Sequence, residues 1–463
     1  MMMVKQAAQV LHADWSGKDV LFTAVSTDSR TLKQGNLFVA LTGENFDGSK
    51  FVSSAVEKGA AAAMVNQQAD SYDIPIHIPL IRVKDTRLSL GQLASYWRSR
   101  FTLPVIGVTG SNGKTTVKEM IASILRQTIP DGGVKTDEQL NYVLATEGNL
   151  NNDIGVPQML LRLRQHHCYA VIEMGMNHMG EISYLTQLAK PTVALITNAG
   201  AAHIEGLGSV ETVAYAKAEI FEGLDQQGIA VINADDVYAP LWRKYAGSRQ
   251  IMDFGLHEKP RISAEYQVNA LMSRIKLKLP DGIAEVELHV PGVHNIYNAL
   301  AAAAAAAALG MNKTLIASGL ENFQGVQGRM QKKLGLHHAL LIDDTYNANP
   351  ASVRAALTVL AATAGKKILV LGDMGELGKS AIDLHREIGR DARKAGLDQL
   401  LTLGELSAYA TEEFGKGARH FNSLDELLNV VESLLAEDVT VLIKGSRFMQ
   451  MERIVRQLEI KRS

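Results

Sequence analysis

The chain has 463 residues, of which 46% are hydrophobic and 21% charged, a composition typical of folded globular proteins that excludes a disordered or fibrous chain. Its length exceeds one compact core and predicts several domains of roughly 100 to 200 residues each. With 47 Lys and Arg against 49 Asp and Glu, the formal charge of −2 provides no bulk field for nucleic acid or an anionic membrane.

The first hundred residues predict a small α/β domain. Residues 37–41 (LFVAL) and 61–65 have the short apolar runs of strands, and residues 51–58 between them have helical spacing. We assign residues 1–99 to this N-terminal domain.

A central domain is predicted from residue 100. The apolar run that starts at residue 103 stops at a glycine-rich turn, and residues 115–126 then have helical spacing. Further buried strands are predicted at residues 169–175, 192–200 and 228–236, with helical patterns between them. Apolar strands that alternate with helices predict a mostly parallel sheet covered on both faces.

The pattern changes at residues 266–290, where apolar and polar residues alternate around Pro280-Asp281-Gly282. This predicts an antiparallel hairpin added to the central sheet. The polar, glycine-containing residues 324–328 predict a hinge, so the central domain covers 100–326 and a third domain 327–463. Strands of this Rossmann-like domain are predicted at residues 339–343, 367–372, 399–404 and 440–445. The fold class is therefore α/β with three domains.

The strongest local signal is TGSNGKTT at residues 109–116, between a buried strand and a helix. In such a loop, backbone N–H groups approach phosphate oxygens, Lys114 reaches the terminal phosphates and Thr115 can bind Mg²⁺. The usual spacing requires glycine at Val108, whereas the first glycine here is Gly110. The alternative is a glycine turn with a helix-capping threonine.

Polar residues recur where predicted strands end. Glu173 ends YAVIE, His203 follows TVALITNAGAA, and Asp344 follows ALLID. Open α/β sheets bind ligands at this edge, and a carboxylate beside a triphosphate is a natural Mg²⁺ ligand. For each residue taken singly, a hydrogen-bonded turn residue is an equal alternative.

Three further polar residues lie in predicted helices. Asn295 and Asn298 are three apart, so one helix end can present both amides to a ligand, but an N-cap at Asn295 is the alternative. Lys217 is by default a solvated helix lysine.

The sequence also bears on compartment and assembly. The N-terminus lacks the apolar core of a secretory signal, and the alanine-rich residues 299–311 fall short of the roughly 20 residues that span a bilayer. Cys168 is the single cysteine, so no intramolecular disulfide is possible. We expect a cytoplasmic monomer without integral membrane contact.

Nine segments resemble, in order, motifs of the Mur ligases of bacterial cell-wall synthesis, and they run through all three predicted domains. They are TGSNGKTT (109–116), EGNLNNDIGVP (147–157), EMG (173–175), NAGAAHIEGLGS (198–209), GVHNIYNALAA (292–302), GRM (328–330), DDTYNANPAS (343–352), GDMGELG (372–378) and LIKGSR (442–447). The DNPR motif of the family members that add diaminopimelate or lysine is absent.

This resemblance implies an ATP-dependent ligase that joins D-alanyl-D-alanine to the terminal carboxylate of UDP-N-acetylmuramoyl-tripeptide through an acyl phosphate. It implies ATP and two Mg²⁺ ions as cofactors, and small-molecule substrates only. The residues it assigns to ATP are Gly110, Ser111, Asn112, Gly113, Lys114, Thr115, Thr116, Asn295, Asn298, Arg329 and Asp344.

The resemblance also implies metal and substrate sites. The metal ligands are Thr115, Glu173, His203 and a carbamylated Lys217, and the catalytic residues are Lys114, Glu173, His203 and Lys217. The substrate-binding residues are Ser29, Arg30, Asp47 and Gly48 for the UDP-sugar, Asn149, Asn151 and Asn152 in the central domain, and Asn347, Ala348 and Asn349 for the dipeptide. Many relatives have histidine where this chain has Ser49.

Two other functions compete with this interpretation. A folylpolyglutamate synthase or a sister Mur ligase shares the phosphate loop, but EGNLNNDIGVP and DDTYNANP weigh against it. A nucleotide-dependent switch uses only the loop and leaves Glu173, His203 and the Asn347 segment without a shared task.

Overall fold

The computed structural model describes residues 1–43, 46–69, 74–75, 77–128, 142–201, 204–269 and 272–460. In these ranges the chain forms mostly parallel β-sheets with helices between the strands, in three successive regions, as predicted. No helix in the described ranges has the length and apolar character that crossing a membrane requires.

The strands of the N-terminal region are β1 (Met2–Met3), β2 (Asp14–Ser16), β3 (Leu21–Phe22), β4 (Ala24–Ser26), β5 (Asn36–Val39), β6 (Thr42–Gly43), β7 (Phe46–Asp47), β8 (Ala62–Asn66) and β9 (Leu80–Val83). Five of them form a sheet in the order β2-β9-β8-β5-β4, parallel except for β2. The predicted strands at 37–41 and 61–65 are β5 and β8. Its helices are α1 (Val4–Val10), α2 (Val52–Glu57) and α3 (Thr86–Arg98).

The central region contains the strands β10 (Val105–Thr109), β11 (Val143–Ala145), β12 (Tyr169–Glu173), β13 (Val193–Ile196), β14 (Ile229–Asn233) and β15 (Gln250–Phe254). They form a six-stranded, fully parallel sheet in the order β11-β12-β10-β13-β14-β15. Its helices are α4 (Lys114–Leu125), α5 (Gly155–Leu160), α6 (Glu181–Ala189), α7 (Ile204–Leu207), α8 (Val210–Ala218), α9 (Ala239–Ala246), α10 (Val293–Ala308) and α11 (Lys313–Glu321).

The predicted hairpin is present and gains a third strand. Antiparallel β16 (Ser263–Asn269), β17 (Met272–Leu279) and β18 (Gly282–Leu288) form a separate sheet, joined to β15 by a bridge between Phe254 and Ile262. Helix α10 packs between this sheet and the central one, and its small alanine side chains are buried from Ala301 to Ala306.

The C-terminal region contains the strands β19 (Gln331–Leu334), β20 (Leu340–Asp344), β21 (Lys366–Gly372), β22 (Gln399–Leu403), β23 (Ala418–Phe421) and β24 (Val439–Lys444). They form a six-stranded sheet in the order β19-β20-β24-β21-β22-β23, parallel except for β19. Its helices are α12 (Pro350–Ala361), α13 (Ala381–Lys394), α14 (Ala408–Phe414), α15 (Leu424–Leu434) and α16 (Glu452–Leu458).

One hydrophobic core cluster contains residues of both the N-terminal and the central region, and each of these regions also has a separate cluster. The C-terminal sheet has its own core on each face. Helix α3 lies against α6 so closely that a Cβ at Gly91 would come within 1.9 Å of the Tyr184 hydroxyl. The boundaries after residues 99 and 326 stay predictions.

Candidate active site between the central and C-terminal sheets

A cavity of about 930 Å³ lies where strands of the central and C-terminal sheets end. Open α/β sheets carry their ligands at this carboxyl edge. The cavity brings together most of the predicted site residues, namely Ser111, Asn112, Gly113, Lys114, Thr116, Asn149, Asn151, Asn152, Glu173, Asn295, Asn298, Arg329, Asp344, Asn347, Ala348 and Asn349.

The glycine-rich loop connects β10 to α4. Gly113 is the N-cap of α4 with φ 84°, and a Cβ there would come within 2.3 Å of Asn298 Oδ1. Lys114 Nζ donates to the Gly110 carbonyl at 2.7 Å. The pKa of the Lys114 amine is lowered, chiefly by burial. The Glu173 and Glu376 carboxylates act in the opposite direction, and the Arg329 charge adds to the lowering. A cation held this way at a helix N-terminus is suited to phosphate.

Asn198, just after β13, was not predicted as a site residue, yet it fixes the shape of this loop. Its Oδ1 accepts from the Asn112 N–H at 3.0 Å, and its Nδ2 donates to the Asn112 carbonyl at 3.1 Å. The Thr197 hydroxyl donates to the same carbonyl at 2.6 Å. The loop is therefore held in shape by side chains that follow β13.

Glu173 ends β12 beside the loop and is 2% exposed. Its Oε1 accepts from Asn151 Nδ2 at 2.8 Å, while its buried Oε2 has no hydrogen-bond partner in the described part of the chain. A buried carboxylate oxygen without a hydrogen-bond partner is energetically costly unless a ligand supplies the missing interaction. The site therefore fits a hard cation such as Mg²⁺, with Thr115 as a second oxygen donor.

Lys217 lies in α8 and is 2% exposed, so the alternative of a solvated surface lysine is wrong. Burial, and then the positive charge of Lys114, hold the pKa of the Lys217 amine well below its ordinary value. Lys217 does not line the cavity. Gly110 and Thr115 are also buried and do not line it. His203 lies outside the described residues.

Asn295 and Asn298 form a buried pair at the start of α10. Asn298 Nδ2 donates to Asn295 Oδ1 at 2.9 Å, and Asn295 Nδ2 donates to the Pro291 carbonyl at 2.8 Å. The N-cap of α10 is Gly292, so the alternative of an N-cap at Asn295 is wrong. Both amides line the cavity beside Gly113.

The C-terminal region contacts the glycine-rich loop directly. Arg329 Nη2 donates to Thr115 Oγ1 at 3.2 Å, and its guanidinium lies 4.0 Å from the centre of the Tyr346 ring. Asn349 caps α12 and donates from Nδ2 to Asn112 Oδ1 at 2.8 Å. Two polar contacts thus join the two walls of the cavity.

A buried ion pair supports the C-terminal wall. Lys444 Nζ lies 2.6 Å from Asp344 Oδ2 and donates to the Asn347 carbonyl at 2.9 Å. Asp344 Oδ1 also accepts from the Met330 N–H at 3.1 Å. Asp344 therefore holds the start of the C-terminal region in place, and Lys444, which was not predicted as a site residue, positions the Asn347 segment.

The residues predicted to hold the UDP-sugar lie away from this cavity. Arg30 is exposed and pairs with Asp28 at 2.8 Å, and the Ser29 carbonyl accepts from Lys58 Nζ at 2.9 Å. Asp47 Oδ1 accepts from the Ser49 N–H at 2.9 Å. At Gly48, a Cβ would come within 2.7 Å of the Leu41 carbonyl oxygen. From the N-terminal region, Arg87 reaches the cavity rim, where it pairs with Asp153.

Three family descriptions cover these regions in chain order. The Mur ligase family catalytic domain matches residues 21–98, the Mur ligase middle domain matches residues 108–306, and the Mur ligase glutamate ligase domain matches residues 328–447.

Relatives and solved structures agree with these matches along nearly the whole chain. The UDP-N-acetylmuramoyl-tripeptide--D-alanyl-D-alanine ligase of Escherichia coli (strain K12) is 41% identical over 460 residues, 98% of each chain. MurF from Acinetobacter baumannii is 38% identical with a TM-score of 0.88, also over 98% of each chain. The MurF ligase from Thermotoga maritima in complex with ADP is 26% identical with a TM-score of 0.81, over 95% of this chain and 97% of that one. This chain belongs to the Mur ligase family.

Proposed function

We propose that this chain is an ATP-dependent ligase that joins D-alanyl-D-alanine to the terminal carboxylate of UDP-N-acetylmuramoyl-tripeptide. The observation that carries the proposal is one cavity lined both by the glycine-rich loop and by the Asn347–Asn349 segment. The named relative with 41% identity supports this choice of substrates. The product is the UDP-linked pentapeptide, released with ADP and phosphate.

The chemistry follows from the poor reactivity of a carboxylate. Transfer of the γ-phosphoryl group of ATP to the tripeptide carboxylate gives an acyl phosphate, and attack by the dipeptide amine then forms the amide and releases phosphate. Lys114 offsets charge on the transferring oxygens. Asn295 and Asn298 hold the adenine, and Arg329 contacts the phosphates.

We propose that two Mg²⁺ ions bind around the loop. Thr115 and the unpaired Glu173 oxygen would hold one ion, and His203 with Lys217 would support a second. Mg²⁺ bound there would neutralise phosphate charge. Burial favours the neutral form of the Lys217 amine, and the neutral amine is the form that reacts with CO₂. We therefore propose that Lys217 is carbamylated.

The substrates are proposed to enter from opposite walls. Ser29, Arg30, Asp47 and Gly48 bind the UDP-sugar, Asn149, Asn151 and Asn152 lie along the peptide, and Asn347, Ala348 and Asn349 bind the dipeptide. We also propose that a monomer is sufficient. We further propose that it works in the cytoplasm, where ATP is available.

A product assay tests this function. UDP-muramoyl peptides crossed with amino acids and dipeptides, with products read by mass spectrometry, should give UDP-pentapeptide only from the tripeptide and D-alanyl-D-alanine. ADP should form only when both are present. A nucleotide switch would instead release ADP without the dipeptide, and a sister ligase would accept a single amino acid.

Lys217→Ala is expected to lower kcat by about 10- to 100-fold, because the metal support is lost. Added acetate or formate should restore part of the activity by supplying a carboxylate. Lys244→Ala, which removes an exposed lysine of α9, is the matched control. It should keep the wild-type kcat and show no response to added acetate or formate. Full activity in the Lys217 variant would contradict the metal-supporting role.

Asn347→Ala is expected to raise the KM for the dipeptide by roughly 10-fold while UDP-tripeptide affinity stays unchanged. Arg30→Ala should do the reverse. Calorimetric titration of UDP-tripeptide, alongside steady-state kinetics in dipeptide, measures both effects. Equal loss of UDP-tripeptide affinity in the two variants would contradict the division between walls.

A further inference from the structure

An ion pair lies at the rim of the cavity, between the N-terminal and central regions. Arg87, in the first turn of α3, donates from Nε to Asp153 Oδ2, and both residues line the cavity. The Arg87 side chain is 55% exposed and that of Asp153 is 23% exposed. The pair is therefore accessible to a ligand that enters the cavity.

The backbone on each side of the pair is fixed by a neighbouring side chain. The Asp85 carboxylate caps α3 and accepts from the Arg87 N–H at 2.8 Å. Asn152 Oδ1 accepts from the Gly155 N–H at 2.8 Å and so closes the turn that contains Asp153. The two charges are thus placed by two different regions of the chain.

The pair has hydrogen-bonding atoms to spare. Among the described residues, the two Nη groups of Arg87 and Oδ1 of Asp153 have no hydrogen-bond partner. The pKa of Arg87 is raised, chiefly by its hydrogen bond to Asp153, so the guanidinium stays charged. Free donors of a cation therefore lie beside a free acceptor of an anion. Such a pair matches a ligand group that carries an ammonium and a carboxylate on one carbon atom.

Two other carboxylates act on the Arg87 charge, those of Asp85 and Glu181. Both already accept from backbone N–H groups, since Asp85 caps α3 and Glu181 Oε2 accepts from the Asn177 N–H at 2.6 Å. Asp153 is the carboxylate that pairs with the guanidinium and keeps an oxygen free for a ligand.

The pair lies close to the reacting end of the tripeptide in the proposed reaction. Asn151 Nδ2 donates to Glu173 Oε1 at 2.8 Å, and Asp153 follows Asn151 by two residues, so their Cα atoms are at most about 7 Å apart. The third residue of the tripeptide carries the carboxylate that receives the γ-phosphoryl group, so its side chain starts near Glu173. A side chain with a four-carbon stem is long enough to reach the rim from there.

We propose that Arg87 and Asp153 bind the charged end of the third-residue side chain of the UDP-tripeptide. Asp153 Oδ1 accepts from its ammonium, and the Arg87 Nη groups donate to its carboxylate. The pair therefore selects a side chain that ends in both groups, as that of diaminopimelate does, over one that ends in an ammonium alone, as that of lysine does. This proposal rests on the ligase function proposed above.

Three UDP-muramoyl-tripeptides test the pair. Their third residues are diaminopimelate, lysine and norleucine, whose side chains end in both charges, in an ammonium alone and in no charge. With ATP and D-alanyl-D-alanine saturating, we expect the wild-type kcat/KM for the tripeptide to fall in that order, by about 10-fold at each step.

Two variants separate the two charges. Asp153→Asn should lower kcat/KM by about 10- to 100-fold for the diaminopimelate and lysine tripeptides, because both lose the partner of their ammonium. Arg87→Met keeps an unbranched stem and should lower kcat/KM by about 10-fold for the diaminopimelate tripeptide, without lowering it for the lysine tripeptide. In both variants the norleucine tripeptide should change by less than about twofold, since it makes neither contact.

Arg274→Met is the matched control. Arg274 Nε donates to Glu287 Oε2 at 3.1 Å in an exposed pair on the three-stranded sheet formed by β16, β17 and β18. Its loss should leave kcat/KM unchanged for all three tripeptides.

Equal losses for all three tripeptides in Asp153→Asn and Arg87→Met would show that the pair only joins two regions of the chain, and would overturn the proposal. Unchanged values for the diaminopimelate tripeptide in both variants would overturn it as well. Failure of the ligase function itself looks different, because wild-type protein would then make no ADP from any of the three tripeptides with the dipeptide.

Discussion

Replacing Lys114 with alanine is expected to lower kcat for ligation by about 10³-fold. Its amine lies at the start of α4, donates to the Gly110 carbonyl at 2.7 Å and lines the cavity. Without it, charge that develops on the transferring phosphoryl group is left uncompensated. The measurement is kcat at saturating ATP, UDP-tripeptide and dipeptide.

The same substitution should leave the protein folded. Lys114 is a cation whose burial lowers its pKa, so a neutral replacement removes a desolvation cost. We expect a Tm equal to or above that of the wild type, with Lys244→Ala again as the control. Near-normal turnover in a variant with a native Tm would refute the assigned role of Lys114.

The parts of the fold that the sequence predicts are those with strong local patterns. Buried strands such as β12 and β21 are continuous apolar runs, and glycine-rich turns mark where they end. Short edge strands such as β4 and β11, of three residues each, carry no such pattern and were not predicted. Strand β16 is mostly exposed, so its alternation is weak.

The site was predictable where chemistry is local in sequence, and less so where it depends on sheet order. Lys114 and Thr115 follow from the motif alone. Asn198 reaches Asn112 because β13 lies next to β10, and this neighbour relation cannot be read from either segment. Lys444 reaches Asp344 for the same reason, since β24 lies beside β20.

Gly113→Ala is expected to lower kcat/KM for ATP by about 10²- to 10³-fold, because two effects act at this residue. Its φ of 84° is unfavourable for alanine, and the added Cβ would lie 2.3 Å from Asn298 Oδ1. Either the loop or the Asn295–Asn298 pair must move. Both line the part of the cavity where we propose that ATP binds, so the movement would misplace ATP relative to the tripeptide carboxylate that accepts its γ-phosphoryl group.

Gly310→Ala isolates the backbone effect, since Gly310 has φ 80° and no atom within 4 Å of its ideal Cβ. That variant should lose about 1 kcal/mol of stability and keep its kcat/KM for ATP. Turnover with varied ATP and thermal unfolding, measured on both variants, separate strain from displacement. If Gly113→Ala lost stability to the same extent as Gly310→Ala and kept wild-type kcat/KM, the close approach of Asn298 to the loop would not matter for catalysis. A large loss confined to Gly113→Ala would show that the contact between the loop and α10 sets the position of the nucleotide.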